Sequence, residues 1–169
     1  MRSNLTLGMR LLSTLGLAAI LLLPAGCDLS SSDEKVIVEQ ESPALADAFE
    51  RVRNSRGTAR LGDIIIESGI PVGPWDRMYS FRSATAESIN DRLGTEGLGW
   101  WGLPFASDSV IQVFVHNDKV VYAYSDRNPR YSVYKYATPE SEVKAVQERL
   151  PGKTENDTYW TVEIEEFPK

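Results

Sequence analysis

The only cysteine of the chain lies near the N-terminus, and this restricts how the protein can be stabilised. With Cys27 as the sole thiol, an intramolecular disulfide and a cysteine-rich metal site are both excluded. The fold must therefore rely on a hydrophobic core. The segment before Cys27 carries Arg2 and Arg10, no acidic residue, and an apolar run over 11–23. This run is shorter than the roughly 20 residues that span a bilayer, so the layout predicts a secretory signal peptide over 1–26.

The end of this segment, Leu22-Leu23-Pro24-Ala25-Gly26-Cys27, resembles the lipobox of bacterial lipoproteins. In that family small residues precede a cysteine that receives a diacylglycerol and becomes the new N-terminus. The family usually has Leu, Val or Ile three residues before the cysteine, where this chain has Pro24. The resemblance implies lipidation at Cys27 and a cell-membrane location facing the periplasm or the exterior. Two or three acyl chains provide stable attachment, and lipidation removes an unpaired thiol from an oxidising compartment.

Removal of residues 1–26 makes the mature chain more acidic. The full chain has 18 basic and 24 acidic residues, and loss of Arg2 and Arg10 leaves a formal charge of −8. An acidic chain is a poor partner for nucleic acid, because that affinity depends on Lys and Arg at the phosphates. It is equally poor at electrostatic adsorption to anionic lipid. We therefore expect a covalent membrane link and another envelope protein as the partner.

Residues 27–41 are interpreted as the lipidated cysteine and a flexible, Ser-rich polar tether. Within the tether, Val36-Ile37-Val38 is apolar, and the pattern leaves open whether it pairs as an edge strand. Residues 42–169 have the length of one globular domain.

Apolar spacing in this domain predicts an α+β fold. Helices are predicted to begin at Ser42-Pro43, at Ser83 or Thr85, and at Thr138-Pro139; strands are predicted over 61–67, 75–81, 110–115, 119–124 and 159–166, with 131–136 as an optional addition. Asn117-Asp118 predicts a hairpin turn, and 94–108 a loop. We expect one antiparallel or mixed sheet of about five or six strands, with two or three helices packed on one face.

The stretch from Trp75 to Phe81, followed by Glu87, Ile89 and Leu93-Gly94, resembles a pattern in small bacterial envelope proteins. Those proteins have Pro-Tyr-Thr before the helix, where this chain has Arg82-Ser83-Ala84. The resemblance covers about 20 residues and implies no particular activity.

Residues that carry chemistry are scarce in this sequence. His116 is the only histidine and lies at the predicted hairpin turn, where we interpret it as a solvated residue. Zinc sites need several His or Cys ligands, and no phosphate-binding glycine motif occurs, so we expect no metal and no cofactor. A hydrolase built on two carboxylates remains a third alternative, with Glu67, Asp76, Glu96 and Asp108 near loops or strand ends.

The candidate binding residues lie in Gly97-Leu98-Gly99-Trp100-Trp101-Gly102-Leu103-Pro104-Phe105. Adjacent tryptophans among glycines are typical of a loop that presents aromatic faces to a partner, and Trp100, Trp101 and Phe105 are the candidates. Either tryptophan could instead fill the core. We therefore expect a non-enzymatic, membrane-anchored interaction, accessory or inhibitor domain. The alternative is a module that binds cell-wall glycan or a small ligand.

Overall fold

The computed structural model describes residues 34–105, 109–127, 129, 131–152 and 157–168. The predicted signal peptide and Cys27 lie outside these residues. The helices are α1 (Pro43–Ser55), α2 (Leu61–Ser68) and α3 (Ala86–Leu93). The strands are β1 (Lys35–Ile37), β2 (Glu39–Gln40), β3 (Thr58–Arg60), β4 (Arg77–Arg82), β5 (Gly99–Trp101), β6 (Val110–His116), β7 (Lys119–Asp126), β8 (Glu142–Arg149) and β9 (Thr158–Ile164). The predicted α+β class is confirmed.

A mixed four-stranded sheet in the order β2-β7-β6-β4 forms the centre of the fold. Strands β6 and β7 form the predicted hairpin, with Asn117 and Asp118 in its turn at φ values of 50° and 61°. Asn and Asp tolerate positive φ better than most residues, which explains the turn. The short strand β2 pairs with β7 in parallel, and the other pairs are antiparallel.

Both faces of this central sheet are covered, whereas the sequence predicted that helices would cover only one face. Strand β6 is almost continuously apolar, as expected for a strand buried on two sides. Its Phe114 joins the core formed by α1, α2 and the inner faces of β8 and β9. Its Ile111 and Val113 join a second core with Ile89 of α3, supported by Trp100 of β5.

A second sheet in the order β3-β8-β9 contradicts the helix predicted from Thr138-Pro139. Val143 is fully buried in β8, whereas Leu150, just after the strand, is exposed. Strand β8 is hydrogen-bonded to a neighbour on each side, and this pairing outweighs the local helix preference. Charged side chains of this segment pair with other segments of the chain. Glu140 lies 2.9 Å from Arg60, and Lys144 lies 3.3 Å from Glu163.

The strand predicted over 61–67 is wrong, because this segment is helix α2. Its buried residues Leu61, Ile64, Ile65 and Ser68 recur at helical spacing, whereas Ile66 is exposed. The run of three isoleucines favoured a strand locally, and packing against α1 determined the helix instead. The helices predicted from Pro43 and Thr85 are confirmed, and Thr85 and Ser88 form a capping box.

The third sheet consists of β1 and β5 in parallel and revises two sequence interpretations. Part of the predicted tether belongs to the fold, since β1 and β2 lie within 34–41. Part of the loop predicted over 94–108 is strand β5. The described residues therefore contain nine strands in three sheets, where about five or six in one sheet were expected. The optional strand over 131–136 contributes a single bridge, between Tyr136 and Phe167.

None of the described helices has the length and apolar character required to cross a membrane.

Candidate functional site

A groove of about 860 Å³ follows strand β9, and we call it the β9 groove. Every residue from 159 to 166 lines it. Because successive side chains of a strand point to opposite faces, contact with consecutive residues places the groove along the strand edge. The groove is also lined by Arg82 and, from the segment 131–134 that forms its opposite wall, by Tyr131, Ser132 and Tyr134.

The backbone of β9 presents unpaired groups at this edge. Glu165 donates its N–H to the carbonyl of Glu142 on β8. The backbone N–H and C=O groups of the odd-numbered β9 residues therefore point toward β8. In an antiparallel pair the backbone groups of the intervening residues point away from the partner strand, and these residues are Trp160, Val162 and Ile164. Among the described residues, the backbone groups of these three have no hydrogen-bond partner. The arrangement is an open template for one more strand.

The groove is rich in carboxylates and aromatic rings. Its charged lining residues are Arg53, Arg82, Lys144, Glu142, Glu148, Glu163, Glu165 and Glu166. Its aromatic lining residues are Phe49, Tyr131, Tyr134, Tyr159 and Trp160. Among these described residues the carboxylates outnumber the cations, and Tyr134 is almost fully exposed. Such a lining provides negative charge together with apolar contact area.

Two sets of polar contacts hold the wall opposite β9, a buried set at Ser80 and an exposed set at Glu166. Ser80 donates its hydroxyl to Oε1 of Gln112 at 2.6 Å and accepts the N–H of Val133 at 2.9 Å. The carboxylate of Glu166 accepts the N–H groups of Tyr134 and Lys135, both at 3.0 Å. These contacts fix the 131–134 wall without any regular secondary structure in it. Sequence reasoning missed the wall, because its supports come from distant parts of the chain.

The tryptophan pair divides between the interior and the surface. Trp100 faces the second core, and its indole N–H donates to Oδ1 of Asn90 at 2.7 Å. The adjacent Trp101 is 60 % exposed. Alternation along β5 produces this division, since neighbouring residues of a strand face opposite sides. Trp100 is therefore partly buried against the second core, while Trp101 remains a candidate for binding.

The exposed Trp101 has an exposed apolar partner across the β1–β5 pair. Ile37 is its direct partner in the β1–β5 pair and is 70 % exposed. Phe105, which follows β5, has a fully exposed side chain. We call Ile37, Trp101 and Phe105 the aromatic ridge. The ammonium of Lys35 lies 5.5 Å from the centroid of the Trp101 ring, within range of a cation–π contact. Sequence reasoning missed Ile37, because the pairing of β1 with β5 spans more than 60 residues.

The single histidine lies in a polar cluster at the β6–β7 turn. Nδ1 of His116 lies 3.6 Å from Oδ2 of Asp76, and the same carboxylate oxygen accepts the N–H of Asn117 at 2.9 Å. Arg77 donates to the other oxygen of Asp76 and to Asp118. The Asn117 N–H and the Arg77 guanidinium hold the pKa of Asp76 below its ordinary value of 3.8. These contacts tie the turn to β4, so His116 is not the simply solvated residue that the sequence indicated.

The candidate carboxylates do not converge on one place. Glu67 pairs with Arg51 at 2.7 Å between α2 and α1, Asp76 lies at the hairpin turn, and Glu96 follows α3. Asp108 lies outside the described residues. Within the described part of the chain, no group of three or more His, Cys, Asp or Glu side chains is placed to hold a metal ion.

Comparison of the chain with protein-family models, with curated proteins and with solved structures finds no match.

Proposed function

We propose that this chain is an extracytoplasmic lipoprotein, anchored by acyl chains on Cys27, whose domain binds another envelope protein rather than catalysing a reaction. The lipobox-like segment supports the anchor, and the open edge of β9 supports the binding role. The domain is an accessory or inhibitor module that receives an extended segment of its partner in the β9 groove. Strand addition of this kind uses main-chain hydrogen bonds for affinity and side-chain pockets for specificity.

The observation that carries the binding role is the unpaired edge at Trp160, Val162 and Ile164 within a groove of about 860 Å³. A strand laid along this edge would form main-chain hydrogen bonds with these residues in place of their bonds to water, which is how strand addition provides affinity. Binding pockets for ligands commonly have volumes of about 300–1,000 Å³, which includes the volume of this groove.

The charge of the lining defines the class of partner segment. Carboxylates exceed cations along the groove, and exposed rings such as Tyr134 and Tyr159 stand at its rim. The complementary segment is extended and carries Lys or Arg together with apolar side chains. Arg is the better match for paired carboxylates, because its guanidinium can bind both oxygens of one group.

The test begins with peptides of about ten residues, selected by display against the mature chain and measured for binding to the wild type. Amide hydrogen exchange then reports the mode of binding. We expect a bound basic-apolar peptide to protect the N–H groups of Trp160, Val162 and Ile164. The N–H groups of Thr161 and Glu163, which face β8, should change little.

Matched variants locate the site. Tyr134→Ala should weaken peptide binding about tenfold, because an exposed aromatic contact at a binding groove contributes roughly 1–2 kcal/mol. Ile66→Ala removes an equally exposed apolar side chain from α2, outside the groove, and should leave binding unchanged. Soluble peptidoglycan fragments are the counter-probe. If they bind, and the three edge amides stay unprotected, the glycan-binding alternative replaces strand addition.

A further inference from the structure

We propose that the aromatic ridge of Ile37, Trp101 and Phe105 rests in the headgroup region of the membrane that carries the Cys27 anchor. This inference depends on the proposed lipidation and adds a second, non-covalent contact between the domain and the bilayer. The ridge is a lipid contact, and the β9 groove remains the surface for the protein partner.

The short connection to Cys27 keeps the ridge close to the bilayer. Residues 28–34 separate the cysteine from β1, and seven fully extended residues span at most about 25 Å. A flexible chain of seven residues spans typically about 15 Å. A domain of this length has a radius of gyration of roughly 14 Å, so the connection is shorter than the domain is wide. The strand that carries Ile37 is therefore the described part of the domain nearest the anchor along the chain.

The side chains of the ridge match the chemistry of a membrane interface. Indole rings prefer the headgroup level, where the ring is apolar and its N–H remains near polar groups. Ile37 and Trp101 are cross-strand partners on one face, which forms a joint apolar surface for the acyl boundary. Lys35 lies on the same face and has an aliphatic stem that can extend along the bilayer while its ammonium stays among phosphates.

The charge of the mature chain explains why an apolar contact is needed. At a formal charge of −8 the domain gains nothing from attraction to anionic lipid. Apolar insertion is independent of that charge. Docking of the ridge would hold the acidic domain in one orientation on the surface, where the lipid anchor alone leaves it free to rotate.

Tryptophan quenching by brominated lipid tests the contact on the full lipidated protein. The protein is reconstituted in phosphatidylcholine vesicles that contain brominated acyl chains, and co-flotation confirms that it is attached. We expect the wild type to lose part of its emission. Trp101→Phe should remove most of the emission that brominated lipid quenches. Trp160→Phe changes a residue of the β9 groove and should leave this quenched emission in place. Phe105→Ser keeps all four tryptophans and should reduce the quenching of Trp101.

The outcomes separate the two proposals. Protein that fails to co-float overturns the anchor itself. Protein that co-floats but shows equal quenching in the wild type and in Trp101→Phe overturns the ridge contact alone. If Trp101 is shielded from aqueous acrylamide yet unaffected by brominated lipid, a protein or a second copy covers the ridge, and the lipid contact is also overturned.

Discussion

The β9 groove and the aromatic ridge are opposite kinds of surface. The groove is concave, lined by carboxylates and rings, and bordered by unpaired backbone groups of Trp160, Val162 and Ile164. The ridge is an exposed apolar surface, in which Ile37 and Trp101 are cross-strand partners of β1 and β5. The first offers a row of backbone hydrogen bonds and charge to a specific segment, and the side chains of the second offer apolar area. The difference is why we assign a protein partner to the groove and the lipid interface to the ridge.

The two surfaces also have separate supports, so mutations should affect them one at a time. The ridge depends on β1 and β5, whose junction is set by the close approach of Gly102 to Val38. The groove wall depends on Ser80, Gln112 and Glu166.

Gly102→Ala should break the ridge. Gly102 has a φ of +79°, and an added Cβ would lie 2.9 Å from the carbonyl oxygen of Val38. The clash is with backbone, so strand β1 must shift, at a cost of about 3 kcal/mol in unfolding free energy. Urea denaturation measures this cost. Gly97→Ala is the matched control, with a φ of +78° and open space around it, and should cost about 1 kcal/mol. Equal losses for the two variants would contradict the close approach.

Ser80→Ala should loosen the groove wall and leave the ridge intact. The change removes the donor to Gln112 and the acceptor of the Val133 N–H, all in buried surroundings. Leaving such groups unpaired costs about 2 kcal/mol. The N–H of Val133 should exchange faster, and peptide binding in the groove should weaken. Ser55→Ala, at an exposed position of α1, should change the unfolding free energy by less than about 0.5 kcal/mol. Unchanged exchange at Val133 would remove Ser80 from this role.

Asp76→Asn tests a region that belongs to neither surface. The substitution should lower the unfolding free energy by about 1 kcal/mol, a modest loss because the carboxylate is partly exposed. The folded pKa of Asp76 is below its ordinary value of 3.8, so the ionised carboxylate stabilises the fold above that pH. As the pH falls through the folded pKa, this stabilisation is lost. The difference in unfolding free energy between wild type and variant should therefore be largest at pH 7 and become smaller in acid. A difference that persists unchanged in acid would contradict the hydrogen-bonded role.

The sequence predicted the parts of the fold that local patterns specify. The hairpin at Asn117-Asp118, the helices beginning at Pro43 and Thr85, and the alternation of β9 were all readable from turn, cap and spacing rules. The errors lie in segments whose secondary structure depends on pairing with residues far away in the sequence. Strand β8 follows a helix-like start at Pro139, but its neighbours β3 and β9 complete its hydrogen bonds.

The candidate site was only half predictable for the same reason. Trp101 and Phe105 were identified from their glycine-rich context, whereas alternation along β5 turns Trp100 toward the second core. Ile37 joins them through a parallel pairing that no local pattern indicates. The β9 groove depends on which strand edge remains unpaired, and that property is a consequence of the whole topology.

Membrane attachment through Cys27 is the premise that both surfaces share, and metabolic labelling with palmitate tests it most directly. The wild type and a Cys27→Ala variant are expressed in a bacterial host with a lipoprotein pathway, labelled, and immunoprecipitated. We expect label and membrane fractionation for the wild type, and neither for Cys27→Ala. An unlabelled wild type that fractionates with soluble proteins would contradict the account.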